Sequence, residues 1–237
     1  MAQTNTPHPA KLSPEAAIGR LKAGNQRFVT GTAEHPHASS KRLSQAGVED
    51  QGDHAFATVL TCSDSRVPVE LIFDAGVMDI FVIRVAGNVC NVDEVGSIEY
   101  GLAHVHTPVL VVLGHTQCGA VTTVTRRVLG EALDLEENIP PLVAPIEPVV
   151  RRAMAAHPEV SGLDILPYAI EENVWAAIGA LFKTSPATRK LVEAGTARVV
   201  GAIYDVSTGE VSWLPESGTA EQLAAAGAEQ QFSVKKY

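Results

Sequence analysis

The chain has 237 residues, 27 acidic and 18 basic, for a formal net charge of −9 at pH 7. Hydrophobic residues make up 46% and charged residues 19%, the proportions of an ordinary globular chain and not of a fibrous or low-complexity one. No apolar run approaches the roughly 18 residues needed to span a bilayer. The acidic balance argues against a general nucleic-acid binder, because phosphate affinity needs a basic surface.

In chain order, Ser13-Pro14-Glu15 combines an N-cap, a proline at the first helical position and an early acid, which predicts a helix start. Ile18, Leu21 and Phe28 mark the buried face of that helix. A second, shorter helix is expected over 39–46. Residues 57–61, 80–86 and 109–113 are short, β-branched apolar runs without alternation, the pattern of strands buried on both faces of a parallel sheet. Helices are expected between them at 69–73 and 95–105, after Cys118, and several times across 142–191. Residues 198–206 read as a strand, 207–210 as a tight turn and 211–214 as an antiparallel edge strand. The last twenty or so residues read as a helix and a mobile tail.

Strand–helix alternation predicts an α/β fold with right-handed crossovers. Its centre is a mostly parallel sheet, about four parallel strands plus an antiparallel edge strand, flanked by helices. A single domain is expected over 1–237: an N-terminal helical arm at about 13–50, an α/β core at about 55–215, and a C-terminal helix and tail at about 216–237. Residues 1–10 are polar and lack the apolar centre of a secretion signal. The expected compartment is the cytoplasm, or the periplasm if a signal peptide has been removed.

Three cysteines, Cys62, Cys90 and Cys118, are too few for a disulfide framework and suit a reducing compartment. Taken singly, each reads as a small buried hydrophobe. Position separates them. Thr61-Cys62-Ser63-Asp64-Ser65-Arg66 closes the first strand, and Gly114-His115-Thr116-Gln117-Cys118-Gly119 closes the third. Both lie at carboxyl ends of parallel strands, where open α/β sheets build their sites. If strands one and three are neighbours, the crevice between them is the topological switch point. Two thiolates and one imidazole make a zinc set with a fourth position open. Cys118 is expected to open a helix, whose N-terminal dipole favours a thiolate. Cys90 matches no ligand position and reads as a packed thiol. An Asp64–Arg66 pair can be bidentate, which keeps the aspartate ionised and able only to accept a hydrogen bond.

The sequence resembles the β-class carbonic anhydrases of bacterial type. The resemblance rests on Cys62-Ser63-Asp64-Ser65-Arg66, Arg84-Val85-Ala86-Gly87-Asn88 and Gly114-His115-x-x-Cys118-Gly119, with Gly24-Asn25-x-Arg27-Phe28 in support. It implies one Zn2+ per subunit held by Cys62, His115 and Cys118. The implied reaction is reversible hydration of CO2 to bicarbonate and a proton, by attack of zinc-bound hydroxide on CO2. Asp64 and Arg66 match the family's pair beside the metal, and the Gly119 N–H would contact the substrate. The family also implies a homodimer or a dimer of dimers, in which Phe81 and Tyr100 wall the neighbouring subunit's pocket. Only small-molecule partners are expected, with no nucleic acid and no membrane. Alternatives on the same zinc scaffold are a CS2 or COS hydrolase and a non-catalytic zinc-binding protein.

Two departures from the family pattern stand out. Asp53 occupies a position, nine residues before Cys62, where many members carry a substrate-contacting glutamine; Gln51 lies close by as a substitute. One subgroup has an inhibitory bicarbonate pocket of Trp, Arg and Tyr. Arg84 and Tyr204 match two of these, but Val59 stands at the tryptophan position, so no such pocket is expected. Arg84 reads alternatively as an anchor for the strand end through nearby carbonyls. His54 and His104 are candidates for relaying protons to buffer.

Overall fold

In the computed structural model, which describes residues 11–234, the chain opens on helix α1 (Pro14–Val29). Ser13 caps it by accepting a hydrogen bond from the Ala16 N–H at 3.2 Å. Helix α2 (Ser40–Ala46) starts in the same way behind Ser39, which accepts from the Arg42 N–H. Both starts match the sequence reading. The polar segment 1–10 and the last three residues of the expected tail lie outside the described residues.

Strands β1 (Ala57–Thr61), β2 (Ile80–Arg84), β3 (Val109–His115), β4 (Arg198–Tyr204) and β5 (Val211–Trp213) form one sheet in the order β2-β1-β3-β4-β5. The first four are parallel and β5 pairs antiparallel with β4, as expected. Two strand ends differ from the apolar runs. β2 stops at Arg84, because Ala86–Asn88 turns away with Gly87 and Asn88 both at positive φ (76° and 42°). β3 runs on to His115, because β4 continues to pair with it through His115 and Tyr204.

The helices that follow are α3 (Val69–Ile72), α4 (Val92–Ala103), α5 (Gly119–Val128), α6 (Ile139–Val143), α7 (Ile146–Ala156), α8 (Leu166–Thr184), α9 (Pro186–Glu193) and α10 (Glu216–Val234). α4 begins three residues before the apolar pattern does, since the Glu94 carboxylate reaches back to accept from the Asn91 N–H at 2.9 Å. Among the described residues, no helix is long and apolar enough to cross a membrane.

Both sheet faces are covered, which is why β1 and β3 are buried at every position. Val59, Val111, Leu113 and Val200 face Ile18 and Leu21 of α1 and Ile72 of α3. Leu60, Leu110, Val112 and Val199 face Ile98 and Leu102 of α4 and Val174, Ile178 and Leu181 of α8. Each such side chain contributes about 1.5–3 kcal/mol on burial. Two residues of α1 fix the angle of that helix. A Cβ on Gly24 would overlap the Phe73 carbonyl, so only glycine fits. Buried Asn25 donates to the carbonyls of Ile72 (3.1 Å) and Gly209 (2.8 Å), and its Oδ1 accepts from the Val211 N–H (3.0 Å).

A third apolar cluster lies past the carboxyl ends of the strands, built from Val89, Val121, Val124, Ile146 and Ile170 together with Cys62 and Cys118. The chain leaves β1 toward β2 on one side and returns to β3 on the other. β1 and β3 pair directly, with Thr61 opposite Leu113. The topological switch point therefore falls where the sequence placed it, between the two motif-bearing strand ends.

Candidate functional site

Cys62 follows the last residue of β1, His115 ends β3, and Cys118 caps the start of α5. All three are buried, and their ligand atoms lie within 4.8 Å of one another. The structure thus brings together the three residues that the sequence singled out, although 53 positions separate the first two. His115 Nδ1 donates to the Thr116 carbonyl at 2.9 Å, which leaves the Nε2 lone pair facing the two sulfurs. Nε2 is buried and has no hydrogen-bond partner among the described residues. Such an orphan costs about 1–3 kcal/mol, so the position is built for an atom other than protein. Two sulfurs and one imidazole nitrogen fit a tetrahedral cation that keeps one coordination position free.

The thiols divide one negative charge between them. A hydrogen bond from Cys118, assisted by the Gly87 N–H at 3.3 Å, holds the Cys62 thiol below its ordinary value against the opposing effect of burial. The same contact, together with burial, pushes the Cys118 thiol up, and the amides of Val121 and Ala120 at the start of α5 only partly offset this. Two sulfurs this close ionise together only when a cation joins them. Cys90 is different: burial, and then the charge of Glu94, pushes its thiol up to about 12, as befits a packing residue.

Beside the sulfurs, Asp64 and Arg66 form the expected bidentate pair. Arg66 Nε donates to Oδ1 at 2.9 Å and Nη2 to Oδ2 at 2.7 Å, and the Arg66 backbone N–H also donates to Oδ1 at 2.9 Å. The hydrogen bond from Arg66 holds the Asp64 carboxyl well below the usual carboxylate range. Arg84, from the end of β2, donates to the carbonyls of Cys62 (3.1 Å) and Asp64 (2.6 Å). Of the two sequence readings of Arg84, the anchor is the one the geometry shows. Gly119 is exposed at the first position of α5, and a Cβ built on it would meet nothing within 4 Å, so the side on which a side chain would stand is open.

Other sequence candidates lie elsewhere within this chain. Phe81 and Tyr100 pack on each other with ring centroids 6.0 Å apart, and Tyr100 is 51% exposed. Phe81 sits opposite Thr58, three residues and about 10 Å of strand before Arg84, so one chain does not bring these rings to its own sulfurs. Gln51, Asp53 and His54 precede β1, whose five residues put about 16 Å of strand between them and Cys62. His54 is engaged there by Arg42 (3.0 Å) and Glu49 (2.6 Å), and the His104 ring lies tilted against Tyr100 with centroids 5.4 Å apart. Val59 is fully buried in the core and Tyr204 almost so.

Two supporting residues carry no signal in the sequence. Asn173 of α8 is buried and donates to the Gly87 carbonyl at 2.8 Å, fixing the turn whose N–H meets Cys62. Gln117, between His115 and Cys118, accepts from Arg66 at both its carbonyl and its side chain. Each contact joins residues more than fifty positions apart, and no local pattern announces it.

The family model described as carbonic anhydrase matches residues 57–211. Carbonic anhydrase 2 of Mycobacterium tuberculosis is 34% identical over 203 residues, covering 83% of this chain and 91% of that one. The carbonic anhydrase of Mycolicibacterium smegmatis is 34% identical over 199 residues, covering 84% and 92%. Among solved structures, the β-carbonic anhydrase CcaA matches with a TM-score of 0.65 at 27% identity, covering 84% of this chain and 96% of its own. The β-carbonic anhydrase CafA of Aspergillus fumigatus matches with a TM-score of 0.64 at 26% identity, covering 89% and 97%. With the same sheet, a buried Cys–His–Cys cluster at its switch point and these relatives over most of its length, the chain belongs to the carbonic anhydrase family, in its β class.

Proposed function

We propose that this chain hydrates CO2 reversibly to bicarbonate and a proton, using one zinc ion per subunit held by Cys62 Sγ, His115 Nε2 and Cys118 Sγ. The observation that carries the proposal is the buried His115 Nε2, partnerless among the described residues and set between two thiols beside an ionised Asp64. Zinc bound there supplies a Lewis acid that lowers the pKa of a water molecule toward neutrality. Every other part of the chemistry belongs to the chain.

Two thiolates offset the metal's charge, so this donor set acidifies water less than three neutral imidazoles would, and the protein compensates through orientation. Asp64, kept ionised by Arg66, accepts the hydrogen of the attacking hydroxyl. That turns an oxygen lone pair toward the carbon of CO2, which is a gain in alignment more than in basicity. The Gly119 N–H, in the first turn of α5 where backbone N–H groups have no partner within the helix, donates to the oxygen on which negative charge develops. Arg84 holds the loop that carries both Cys62 and Asp64, so the two keep a fixed relation.

The assembly that fits this site is a homodimer or a dimer of dimers in which Phe81 and Tyr100 wall the partner's pocket. Support comes from the half-exposed Tyr100 and from β2 lying at the sheet edge. The deciding experiment is stopped-flow CO2 hydration across a broad pH range with parallel zinc analysis, and with COS and CS2 assayed on the same samples. CO2 turnover that rises in step with zinc content is expected. Fully zinc-loaded protein that turns over only COS or CS2, or nothing at all, would refute the proposal.

A further inference from the structure

Arg66 carries five N–H donors in one plane, and its side chain is 45% exposed, so water competes for each of them. Asp64 takes two through Nε and Nη2. The loop at the end of β3 takes two more, and both go to a single residue. Nη2 donates to the Gln117 carbonyl at 3.1 Å, and Nη1 donates to Gln117 Oε1 at 3.3 Å. The guanidinium is thus a bridge, gripping Asp64 on the β1 side and gripped by Gln117 on the β3 side.

Gln117 stands between His115 and Cys118, and its backbone lies in the left-handed region at φ 57°. A non-glycine residue holds that conformation only where its surroundings require it. Here that conformation accompanies a carbonyl and a side chain that both meet Arg66. Nothing else in the H-x-x-C spacing needs a glutamine, because the metal set uses only its ends.

We infer that Gln117 is a positioning residue for the Asp64–Arg66 pair: it holds the Arg66 guanidinium in the plane that keeps Asp64 aimed into the site. It thereby ties the loop bearing two of the ligands to the loop bearing the third. The inference rests on the reading of Asp64 as the orienting group.

Gln117→Met keeps the side-chain length and removes the acceptor, on an exposed loop residue whose replacement leaves the core intact. The zinc-loaded variant is expected to keep wild-type zinc stoichiometry and to lose roughly five-fold in kcat, the value of one exposed hydrogen bond to a charged group. Gln117→Ala should behave alike. In an Arg66→Ala background the same substitution should cost nothing further, since no guanidinium remains to be held. A second readout is independent of turnover: the NMR exchange rate of the Arg66 Nε–H with water, which should rise in Gln117→Met. Unchanged kcat with unchanged exchange, or an equal loss of kcat in both backgrounds, overturns the inference. Full activity of Asp64→Asn would instead remove the orienting role of Asp64, while the exchange rate would still report whether Gln117 holds Arg66.

Discussion

Replacing Asp64 by asparagine separates the metal site from the orienting pair. An ionised carboxylate offers about four acceptor sites, and Arg66 fills three of them through its Nε, Nη2 and backbone N–H. One site remains for the attacking hydroxyl. In Asp64→Asn, Oδ1 keeps two acceptor sites, which the Arg66 N–H and Nε already occupy. The amide nitrogen takes the place of Oδ2 and meets Nη2 donor against donor. No acceptor is left for the hydroxyl, and the guanidinium is pushed off its plane. Loss of a single alignment of this kind costs about 100-fold, or about 2.7 kcal/mol of barrier. None of the three metal-ligand atoms belongs to Asp64, so zinc content should match wild type. Because Arg66 holds the Asp64 carboxyl below the usual range, the wild-type carboxylate stays ionised wherever the protein is folded near neutrality. The ratio of wild-type to variant rates should therefore stay flat with pH. Stopped-flow hydration on samples of matched zinc content measures it. A fully active variant with full zinc would refute the orienting role, and a ratio that changes steeply near neutral pH would show that Asp64 acts as an acid or base.

Three further outcomes follow from the same geometry. Cys118→Ser replaces a sulfur ligand by a hydroxyl that does not ionise near neutrality, and elemental analysis should find most of the zinc lost. Asn25→Leu leaves the carbonyls of Ile72 and Gly209 and the N–H of Val211 without their partner. At about 1 kcal/mol or more for each group, the cost is about 3 kcal/mol, a fall of roughly 6–12 °C in Tm by calorimetry. Burial alone would raise the Asp74 carboxyl, but the N–H groups of Glu34 and His35 and Nε of Arg27 (2.6 Å) outweigh it and hold the carboxyl below its ordinary value. Its stabilising effect is thus present above the unfolded value, near pH 4, and is lost as pH falls further. Asp74→Asn should lower Tm at neutral pH and flatten its decline in acid; an unchanged acid limb would show that other groups govern it.

What could be read from the sequence was whatever lies in a short window. Ser13 announces its helix because a cap needs only the next three residues. The ligands were legible because the two motifs that carry them each close a β-branched run, and the condition that brings them to the switch point, β1 lying beside β3, is met by the sheet. The end of β2 was not legible, because it depends on two successive positive φ values at Gly87 and Asn88, while the apolar run continues past Arg84 to Ala86. The start of α4 was missed because the apolar pattern begins later than the Asn91–Glu94 cap. Asn173 on Gly87 and Gln117 on Arg66 become visible only after the sheet has folded, since each joins distant segments. The roles of Phe81 and Tyr100 depend on a second copy of the chain, which neither the local pattern nor a single subunit supplies.

The site is a consequence of strand register as much as of residue identity. Adjacent strands lie about 4.8 Å apart, and the three ligand atoms lie within 4.8 Å of one another. One inter-strand spacing is thus the reach across which Cys62, just past β1, meets His115 at the end of β3. A slip of β3 by one residue would carry His115 about 3.3 Å along the strand and turn its side chain to the opposite face. The register that prevents this, Thr61 opposite Leu113, is reinforced at the same rung by the Thr61 hydroxyl, which donates to the Leu113 carbonyl at 2.9 Å. On the far side of β3, the Thr116 N–H donates to the Tyr204 carbonyl and its hydroxyl accepts from the Val206 N–H, which locks the strand end against β4. The metal set is therefore held by sheet pairing on both sides of β3. The orienting pair depends on the same pairing through Arg66 and Gln117, so a change that loosens the β1–β3 rung would disturb metal binding and alignment together without touching a ligand.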